Sequence, residues 1–248
     1  MKIHHSHPWD LTPEAAIALQ QQLRDQVITT DQFDAVERVA GVDVGFEDAG
    51  NTTRAAIAVL SFPGLQIQEQ VVSRRPTVFP YIPGLLSFRE VPAVLDALEK
   101  LQVMPNLLLC DGQGTAHPRR FGIACHLGVL TNLPAIGVAK SLLVGKHEEV
   151  PDEKGAWQPL QHKGETIGVA LRTRPKTKPL YISPGHRVSL DTAIDYVLRC
   201  TTKYRLPETT RAAHKLASET SNAEIQAIEA RQAIAANPAI EEQQLRLF

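Results

Sequence analysis

The sequence predicts an α/β protein whose core is a mixed β-sheet flanked by helices. Two observations predict this class. Three strand-like segments follow one another early in the chain with only turns between them, and a strand, a helix and a second strand then follow in the order typical of parallel pairing. The chain has 248 residues, 43% hydrophobic and 21% charged, which is typical of a globular protein and excludes a mainly disordered one.

A helix and a three-stranded meander are predicted for the first third of the chain. Thr12 to Val27 has apolar residues at helical spacing, and Pro13 is suited to a first helical turn. From Glu37 to Phe46, apolar residues alternate with glycines and Asp43, which predicts a strand whose apolar face lies opposite Asp43. Two further strands flank a Pro-Gly turn and complete an antiparallel meander. Their predicted bounds are 54–62 and 66–74.

A strand, helix, strand unit is predicted next. Ser87 and Glu90 have the spacing of a capping box, which predicts a helix that begins there and ends near Leu101. Asn106 to Cys110 is a short apolar run, typical of a buried strand, and Asp111 follows at its C-terminal end. The unit continues with a helix near 119–130 and a strand near 135–139. Later strands are predicted at 166–172 and 180–182, and later helices at 191–200 and 209–217.

The charge distribution separates a body from a tail. The formal net charge is -1, so no strong global field attracts a polyanion. Residues 219–248 contain five acids and two bases, which leaves the rest slightly basic. We therefore predict a single domain over residues 1–218 and an acidic C-terminal tail, helical or flexible, over residues 219–248. Four basic residues at alternate positions predict a charged stripe, either a phosphate track or a protected strand edge: Arg172, Arg174, Lys176 and Lys178.

Several protein classes are excluded by the composition. The longest apolar stretch, Ala124 to Ala139, is interrupted by polar residues and proline, so we expect no membrane span. The first residues lack the apolar run of a secretory signal. Cys110, Cys125 and Cys200 are odd in number and lack Cys-x-x-Cys spacing, which argues against a disulfide framework or a structural zinc site. A cytoplasmic protein is predicted.

Three acids stand at the ends of different predicted elements, namely Asp43, Glu90 and Asp111. Hard cations such as Mg²⁺ are bound by carboxylates that separate elements bring together. Each acid also has a structural interpretation. Asp43 fits the solvent face of a strand end, Glu90 fits the capping box, and Asp111 fits a turn before glycine. Spacing alone leaves both interpretations open.

Four segments, in this order and spacing, resemble the endonuclease V family. They read GVDVGF at 41–46, PYIPGLLSFRE at 80–90, DGQGTAHPRRFG at 111–122 and GVAKS at 137–141. The resemblance covers about residues 12–217. It implies a ribonuclease H-like fold and a Mg²⁺-dependent endodeoxyribonuclease, with Mn²⁺ as a substitute. The family recognises deoxyinosine, the deamination product of deoxyadenosine, in DNA repair. It hydrolyses the second phosphodiester bond 3′ to the lesion and leaves 3′-hydroxyl and 5′-phosphate ends.

The resemblance implies a role for each residue that matches a family motif. Asp43, Asp111 and Glu90 match the metal-binding acids. Lys140 matches the active-site lysine, whose ammonium holds the phosphate or the attacking water. His214 matches a late histidine that positions the water or the metal. These five residues are the predicted catalytic set.

The same resemblance implies how DNA is bound. A proline-stiffened wedge enters the duplex where the lesion is extruded, and its ring replaces the stacking of the displaced base. The implied wedge residues are Pro80, Tyr81, Ile82 and Pro83. The implied base pocket is lined by Gly84, Leu86, Gly112 and Gly122. Arg89 and His117 match motif positions and are implied to contact the DNA backbone or to lie directly behind residues that contact the DNA, while Arg119 and Arg120 fit either phosphate contacts or a helix start.

The end of the tail resembles the short peptide by which bacterial repair and replication proteins dock on the sliding clamp. The matching residues are Gln244, Leu245, Leu247 and Phe248. An acidic, polar segment that ends in large apolar side chains fits such a docking peptide. The alternative is that these apolar side chains fold back onto the body. A last helix is predicted from a capping box at Ser221 to about Asn237.

Two other functions remain open from the sequence. Some relatives of the family prefer inosine in RNA, and nothing in the sequence reports a preference for the 2′-hydroxyl. The protein is alternatively a non-catalytic module that binds the lesion, in which the acids are structural. The presence of all three acids together with Lys140 disfavours this second alternative.

Overall fold

The computed structural model describes residues 4–218, and an eight-stranded mixed sheet lies at its centre. The strands are β1 (Arg38–Glu47), β2 (Thr52–Ser61), β3 (Ile67–Pro76), β4 (Leu107–Cys110), β5 (Ala135–Ala139), β6 (Trp157–His162), β7 (Glu165–Leu171) and β8 (Leu180–His186). Their order across the sheet is β3-β2-β1-β4-β5-β8-β7-β6. The pairs β1–β4 and β4–β5 are parallel, and the other neighbouring pairs are antiparallel. The predicted meander and mixed sheet are confirmed.

Helices cover both faces of the sheet. They are α1 (Pro13–Leu23), α2 (Leu86–Lys100), α3 (Ile123–Thr131), α4 (Leu190–Arg199) and α5 (Glu208–Ser218). Side chains of α2 and α3 share one buried cluster with Val42 and Ile57 of the sheet. Side chains of α4 and α5 share another with Val39 and Leu109. Successive strand residues point to opposite faces, so β1 supplies both clusters.

Helix α1 packs beside the loop that precedes α2. Ala16 of α1 shares a buried cluster with Phe79 and Leu85, and Leu23 shares another with Phe121. The Thr12 hydroxyl oxygen accepts a hydrogen bond from the Ala15 amide at 3.2 Å, which caps the helix. The predicted helix 12–27 is shorter than expected, because its last turn is a 3₁₀ helix at Arg24–Gln26.

The predicted capping box at the start of α2 is wrong. The helix begins at Leu86, and its N-cap residue Leu85 makes no side-chain capping bond. Ser87 is buried inside the helix, where its hydroxyl lies 3.0 Å from Nδ1 of His126. Glu90 therefore does not cap the helix, and its carboxylate is available to the site described below.

Two other expectations are corrected. Helix α3 begins at Ile123 rather than near Arg119, because Arg120 has a left-handed backbone conformation that interrupts a helix. The predicted basic stripe at 172–178 does not form, because these residues are not in a strand. Strand β7 ends at Leu171, and the chain then turns through Lys176, which has a φ of 58°. The Arg172 guanidinium donates to backbone carbonyls, including that of Val150 at 2.7 Å, instead of projecting into solvent.

Several features differ from the prediction in extent. Strand β6 was not predicted, and β8 continues four residues beyond its predicted end at Ile182. Between residues 4 and 218 no helix combines the length and apolar character that a membrane span requires. The predicted tail helix and the clamp-binding residues lie outside the described residues.

Candidate metal centre and active-site cavity

Three neighbouring parallel strands deliver three charged residues to one edge of the sheet. Asp43 lies midway along β1 rather than at its end, one residue beyond the last pairing of β1 with β4 at Val42, whereas Asp111 directly follows β4 and Lys140 directly follows β5. The Asp111 amide donates to the carbonyl of Val42 at 2.8 Å, which fixes the exit of β4 beside β1. Because the carboxyl ends of parallel strands meet at one edge, residues almost a hundred positions apart in sequence become neighbours.

Two glycines allow α5 to lie directly on β1. A Cβ atom on Gly41 would be 1.9 Å from the Thr209 carbonyl oxygen, and a Cβ atom on Gly45 would be 2.4 Å from the Ala217 carbonyl oxygen. Both glycines share the face of β1 that carries Asp43. Their missing side chains bring the helix close enough for His214 to reach Asp43.

A compact cluster of possible metal ligands results. Nδ1 of His214 lies 2.7 Å from Oδ2 of Asp43, and one ligand atom each of Asp43, Asp111 and His214 lie within 4.8 Å of one another. The Lys140 ammonium forms an ion pair with Asp111 and lies 4.0 Å from Oδ2 of Asp43. Asp43 is 8% exposed, so its charge is largely removed from water. Two carboxylates and an imidazole are a donor set suited to a divalent cation.

Two carboxyl groups of the site bind protons more strongly than usual. Desolvation, followed by the charges of Asp43 and Asp111, raises the pKa of Glu90 to about 8. Desolvation and the charge of Asp43 raise the pKa of Asp111 to about 6, although Lys140 acts in the opposite direction. Like charges held together without enough compensation are typical of functional sites, and a bound cation would relieve the repulsion.

Glu90 approaches this cluster from α2 but is not among the three residues with the closest ligand atoms. Its carboxyl group lines the same cavity as Asp111 and Lys140. The expected set of Asp43, Glu90 and Asp111 thus converges on one region, with His214 nearer than Glu90 to the two aspartates. All five predicted catalytic residues meet here.

Arg205 fixes the backbone at Lys140. Its guanidinium donates to the carbonyl oxygens of Lys140 at 2.8 Å, Pro179 at 2.9 Å and Lys178 at 2.7 Å. These bonds tie the end of β5 to the segment that enters β8. Arg205 is a positioning residue for Lys140 that the sequence analysis missed.

A cavity of about 340 Å³ opens beside the carboxylates. Its size falls in the range of small-molecule sites, about 300–1,000 Å³. Catalytic and predicted pocket residues share its wall, which includes Glu90, Asp111, Lys140, Gly84, Leu86, Gly112 and Gly122. The four predicted base-pocket residues therefore border one space, and that space reaches the carboxylates.

The predicted wedge forms the rim of this cavity. Tyr81 and Pro83 line it, and Tyr81 is 69% exposed. Ile82 is half-buried and packs with the cluster that contains Phe79, while Pro80 is exposed. The tip of the loop thus presents an aromatic ring to solvent from a base that is packed against the body.

Arg89 and His117 act within the protein. The Arg89 guanidinium donates to the carbonyls of Phe79 at 3.2 Å and Gly50 at 3.0 Å, and stacks over the Phe46 ring at 4.4 Å. His117 is 4% exposed, and its Nε2 lies 3.1 Å from the Gly84 carbonyl oxygen. Both residues hold the wedge loop from inside.

Part of the cavity wall opposite the wedge was not predicted from the sequence. Leu142 and Leu143 line the cavity and are 42% and 44% exposed, and the Gln113 amide donates to the Ser141 carbonyl at 3.1 Å. One sequence feature could have predicted this wall. Two adjacent leucines follow Lys140 closely, in a segment that has neither strand nor helix periodicity. Nothing in the sequence marks Arg205, because its partners are distant in sequence.

Known proteins match both the sequence and the fold. The sequence profile of the endonuclease V family matches residues 21–215. An endonuclease V of Trichormus variabilis is 68% identical over 219 residues, which are 88% of this chain and 99% of that protein. The crystal structure of endonuclease V from Streptomyces avermitilis has a TM-score of 0.80 at 45% identity and covers 84% of this chain and 92% of that chain.

A third match is a complex with nucleic acid. Endonuclease V of Ciona intestinalis, in complex with a 24mer DNA containing an inosine followed by a ribo-adenosine, has a TM-score of 0.71 at 31% identity. It covers 86% of this chain and 97% of that chain. These structural matches confirm the predicted ribonuclease H-like fold, and the extent and identity of the sequence matches are those of close relatives. The chain belongs to the endonuclease V family.

Proposed function

We propose that this protein is a Mg²⁺-dependent endodeoxyribonuclease that recognises deoxyinosine in DNA and acts in DNA repair. It hydrolyses the second phosphodiester bond 3′ to the lesion and leaves 3′-hydroxyl and 5′-phosphate ends. One structural observation supports this proposal most strongly. The acidic cluster that β1 and the end of β4 bring together opens into a cavity whose rim is the exposed Tyr81 loop.

The residues of the cluster fit a divalent cation. Asp43 and Asp111 offer carboxylate oxygens, and His214 offers an imidazole nitrogen within the same 4.8 Å group. Glu90 adds a third carboxyl group whose raised pKa reflects the two neighbouring acids. When bound, Mg²⁺ or Mn²⁺ offsets the charge that develops on the phosphate and lowers the pKa of the attacking water.

The protein's own groups complete the reaction. The Lys140 ammonium is placed to bind an oxygen of the scissile phosphate, because it already pairs with Asp111 at the mouth of the cluster. In the metal-free protein His214 donates through Nδ1 to the Asp43 carboxylate and holds it in one orientation. With a pKa of about 8, Glu90 is mostly protonated at neutral pH in the metal-free protein, and a bound cation would favour its charged form, which can bind the metal.

Recognition of the base is assigned to the cavity and its rim. An extruded hypoxanthine enters the cavity, whose lining includes Gly84, Gly112 and Gly122. The Tyr81 ring fills the gap left in the duplex. The inosine-containing DNA in the Ciona intestinalis complex supports the same class of substrate here.

The test is cleavage of matched oligonucleotides on a denaturing gel. DNA and RNA strands with one inosine are incubated with Mg²⁺ or with chelator, using the wild-type protein, Asp43→Asn and the exposed-site control Asp34→Asn. We expect a Mg²⁺-dependent nick one nucleotide beyond inosine in DNA, retained in Asp34→Asn and reduced at least about 100-fold in Asp43→Asn.

The other outcomes separate the alternatives. Cleavage of the RNA strand alone would assign the protein to inosine-containing transcripts. Binding to inosine DNA without cleavage of either strand would make it a lesion-binding module. Cleavage in chelator would overturn the metal-dependent mechanism.

We also propose that the C-terminal peptide docks on the replication sliding clamp. The family match ends at residue 215, so Gln244, Leu245, Leu247 and Phe248 need an explanation of their own. Their acidic setting and large apolar side chains fit a docking peptide.

A reducing cytoplasm, where repair of the chromosome takes place in bacteria, is the location that we predict.

The clamp proposal is tested by calorimetric titration. Deletion of residues 244–248 and Gln244→Ala are each expected to abolish clamp binding while nuclease activity is unchanged. Gln243→Ala is the matched control, because the neighbouring glutamine lies outside the motif. Unchanged clamp affinity after the deletion would refute the proposal.

A further inference from the structure

One backbone carbonyl beside the cavity receives three hydrogen bonds. The Gly84 oxygen accepts from Nη2 of Arg119 at 2.6 Å, from Nε2 of His117 at 3.1 Å and from Nε2 of Gln20 at 3.1 Å. A carbonyl oxygen has two lone pairs, and most accept one or two bonds. Three donors, one of them a guanidinium, hold this peptide group unusually firmly.

Gln20 is the centre of this network. It lies on α1, is 1% exposed, and uses all of its amide. Its Nε2 donates to the carbonyls of Gly84 and Phe121, each at 3.1 Å, and its Oε1 accepts from Nε of Arg119 at 2.5 Å. The orientation of the amide is fixed, because a guanidinium has only donors and must face the oxygen.

His117 is held in one tautomer by the same network. Its Nδ1 accepts from the Arg119 amide at 3.2 Å, so Nε2 carries the proton that is donated to Gly84. Burial, followed by the charge of Arg119, lowers the pKa of His117 to about 4. The imidazole therefore stays neutral at physiological pH and its bonding pattern does not change.

Gly84 is where the wedge and the pocket meet. It joins the Pro80–Pro83 wedge to α2, which carries Glu90, and it lines the cavity. Its φ of +80° is a left-handed conformation, and a Cβ atom there would lie 2.9 Å from Nη2 of Arg119. The network thus closes around a peptide that only glycine permits.

We propose that Gln20, together with Arg119 and His117, is a positioning residue for base selectivity. By fixing the Gly84 carbonyl, it sets the edge of the pocket that an extruded hypoxanthine contacts. Gln20 does not line the cavity, so it acts on the pocket only through this peptide. The inference rests on the proposed function and adds a determinant of its specificity.

Two variants and one control test the inference. Gln20→Met keeps the length of the side chain and removes all three bonds. Gln20→Glu keeps the oxygen that accepts from Arg119 but places a second oxygen against the Gly84 and Phe121 carbonyls. Gln22→Met changes an exposed glutamine of the same helix.

Two measurements are made on each protein. Hydrogen exchange of residues 79–86 reports the loop itself, without any substrate. Selectivity is the ratio of kcat/KM for DNA with inosine to kcat/KM for DNA with adenosine in the same mispair. We expect faster loop exchange and a selectivity loss of roughly tenfold in both Gln20 variants, with kcat on inosine DNA within about twofold of wild type, and no change in Gln22→Met.

The results distinguish this inference from the proposed function. Suppose that the wild-type protein prefers inosine, and that both Gln20 variants keep the wild-type loop exchange and selectivity. This result would overturn the inference but not the proposed function. Faster exchange with retained selectivity would also overturn it, because the loop would then not determine recognition. A wild-type protein without inosine preference would overturn the proposed function, while the exchange data would still report whether Gln20 holds the loop.

Discussion

Glu90 combines a catalytic position with an energetic cost to the fold. Its pKa of about 8 lies above the usual 4.5, so the folded state binds more protons than the unfolded state between these values. Stability therefore falls as the pH rises from about 4.5 to 8, and the loss is complete above 8. Active-site carboxylates held in this way reduce stability in favour of function.

Replacing Glu90 by glutamine removes that cost. We expect Glu90→Gln to raise the unfolding temperature of the chelator-treated protein, by an increment that grows from pH 5 to pH 8 and is constant above. Nuclease activity falls at least about 100-fold, because one of the three metal-binding carboxylates is lost. Thermal unfolding at several pH values and the cleavage assay measure both effects.

Glu99→Gln is the control for this variant, since Glu99 is an exposed acid of the same helix. It should change neither the pH profile nor the activity. An increment in Glu90→Gln that is independent of pH would show that the carboxyl group titrates normally.

Single residues of the site were predictable to different degrees. Asp43 lies within a predicted strand, Asp111 and Lys140 follow predicted strands, and their convergence follows from parallel pairing. Glu90 was ambiguous, because the spacing of Ser87 and Glu90 fits a capping box. Gln20 gave no signal, since its partners Gly84 and Phe121 are 64 and 101 residues away and only the folded chain brings them together.

Among the elements, the wedge loop has the most direct functional consequence. Tyr81 is 69% exposed although Phe79, two residues earlier, is 4% exposed. Stacking of a base on an aromatic ring contributes about 1–3 kcal/mol. We expect Tyr81→Ala to lower kcat/KM on duplex inosine DNA by roughly tenfold to a hundredfold, and much less on a single strand, where no stack needs filling.

Val78→Ala is the matched change, because Val78 is 74% exposed in the same loop. It should leave cleavage of both substrates near the wild-type rate. Equal losses on duplex and single-stranded DNA in Tyr81→Ala would contradict the role of a wedge.

The contact between α5 and β1 is a second element with a testable role. Gly45→Ala would place a Cβ atom 2.4 Å from the Ala217 carbonyl, and the helix must then move. We expect a loss of about 1–3 kcal/mol in the free energy of unfolding. Cleavage falls as well, since His214 leaves Asp43. Chemical denaturation and the gel assay measure the two effects.

A glycine without such a contact provides the comparison. At Gly64 an added Cβ atom meets only the end of the Ser61 side chain, at 3.3 Å. Gly64→Ala should therefore have a smaller effect on stability and none on cleavage. Equal destabilisation by the two substitutions would contradict close packing of α5 on β1.

The elements themselves were predictable where local pattern and tertiary contacts agree. The meander and β5 followed from alternation and apolar runs. Helix α3 was predicted too long because Arg119 bonds to Gly84 and Arg120 adopts φ of 59°, and neither is encoded in helical periodicity. Strand β6 has three half-buried and two exposed positions among its six, so it lacks a clear period-two pattern.

On the scale of the whole molecule, three histidines couple stability to pH. Burial lowers the pKa of His117 and of His186 to about 4, and lowers that of His126 well below its usual 6.5. The unfolded state takes up protons near pH 6.5, whereas the folded state does not until lower pH. We therefore expect the free energy of unfolding to fall as the pH decreases from 6.5 to about 4.

The raised pKa values of Glu90 and Asp111 have the opposite effect on stability, so the histidine effect has to be measured in a variant that lacks both carboxyl groups. The Glu90→Gln, Asp111→Asn double variant lacks both carboxyl groups with raised pKa values. Its free energy of unfolding is measured by denaturant titration at pH 7.5, 6 and 5. Stability that stays constant over this range would contradict the neutral state of the buried histidines.

The fold as a whole explains why one edge of the sheet carries the chemistry. Parallel strands β1, β4 and β5 deliver Asp43, Asp111 and Lys140, and helices on opposite faces add Glu90 and His214. We propose that this convergence forms a divalent-metal centre that cleaves DNA. Metal affinity and cleavage must then be lost together.

The most direct test measures two properties of the same samples. Electron paramagnetic resonance titration measures Mn²⁺ binding, and the gel assay measures cleavage of inosine DNA. We expect wild type and Asp34→Asn to bind Mn²⁺ and to cleave, and Asp43→Asn to lose both properties. Unchanged Mn²⁺ binding in Asp43→Asn, or full cleavage by wild type in chelator, would contradict this proposal.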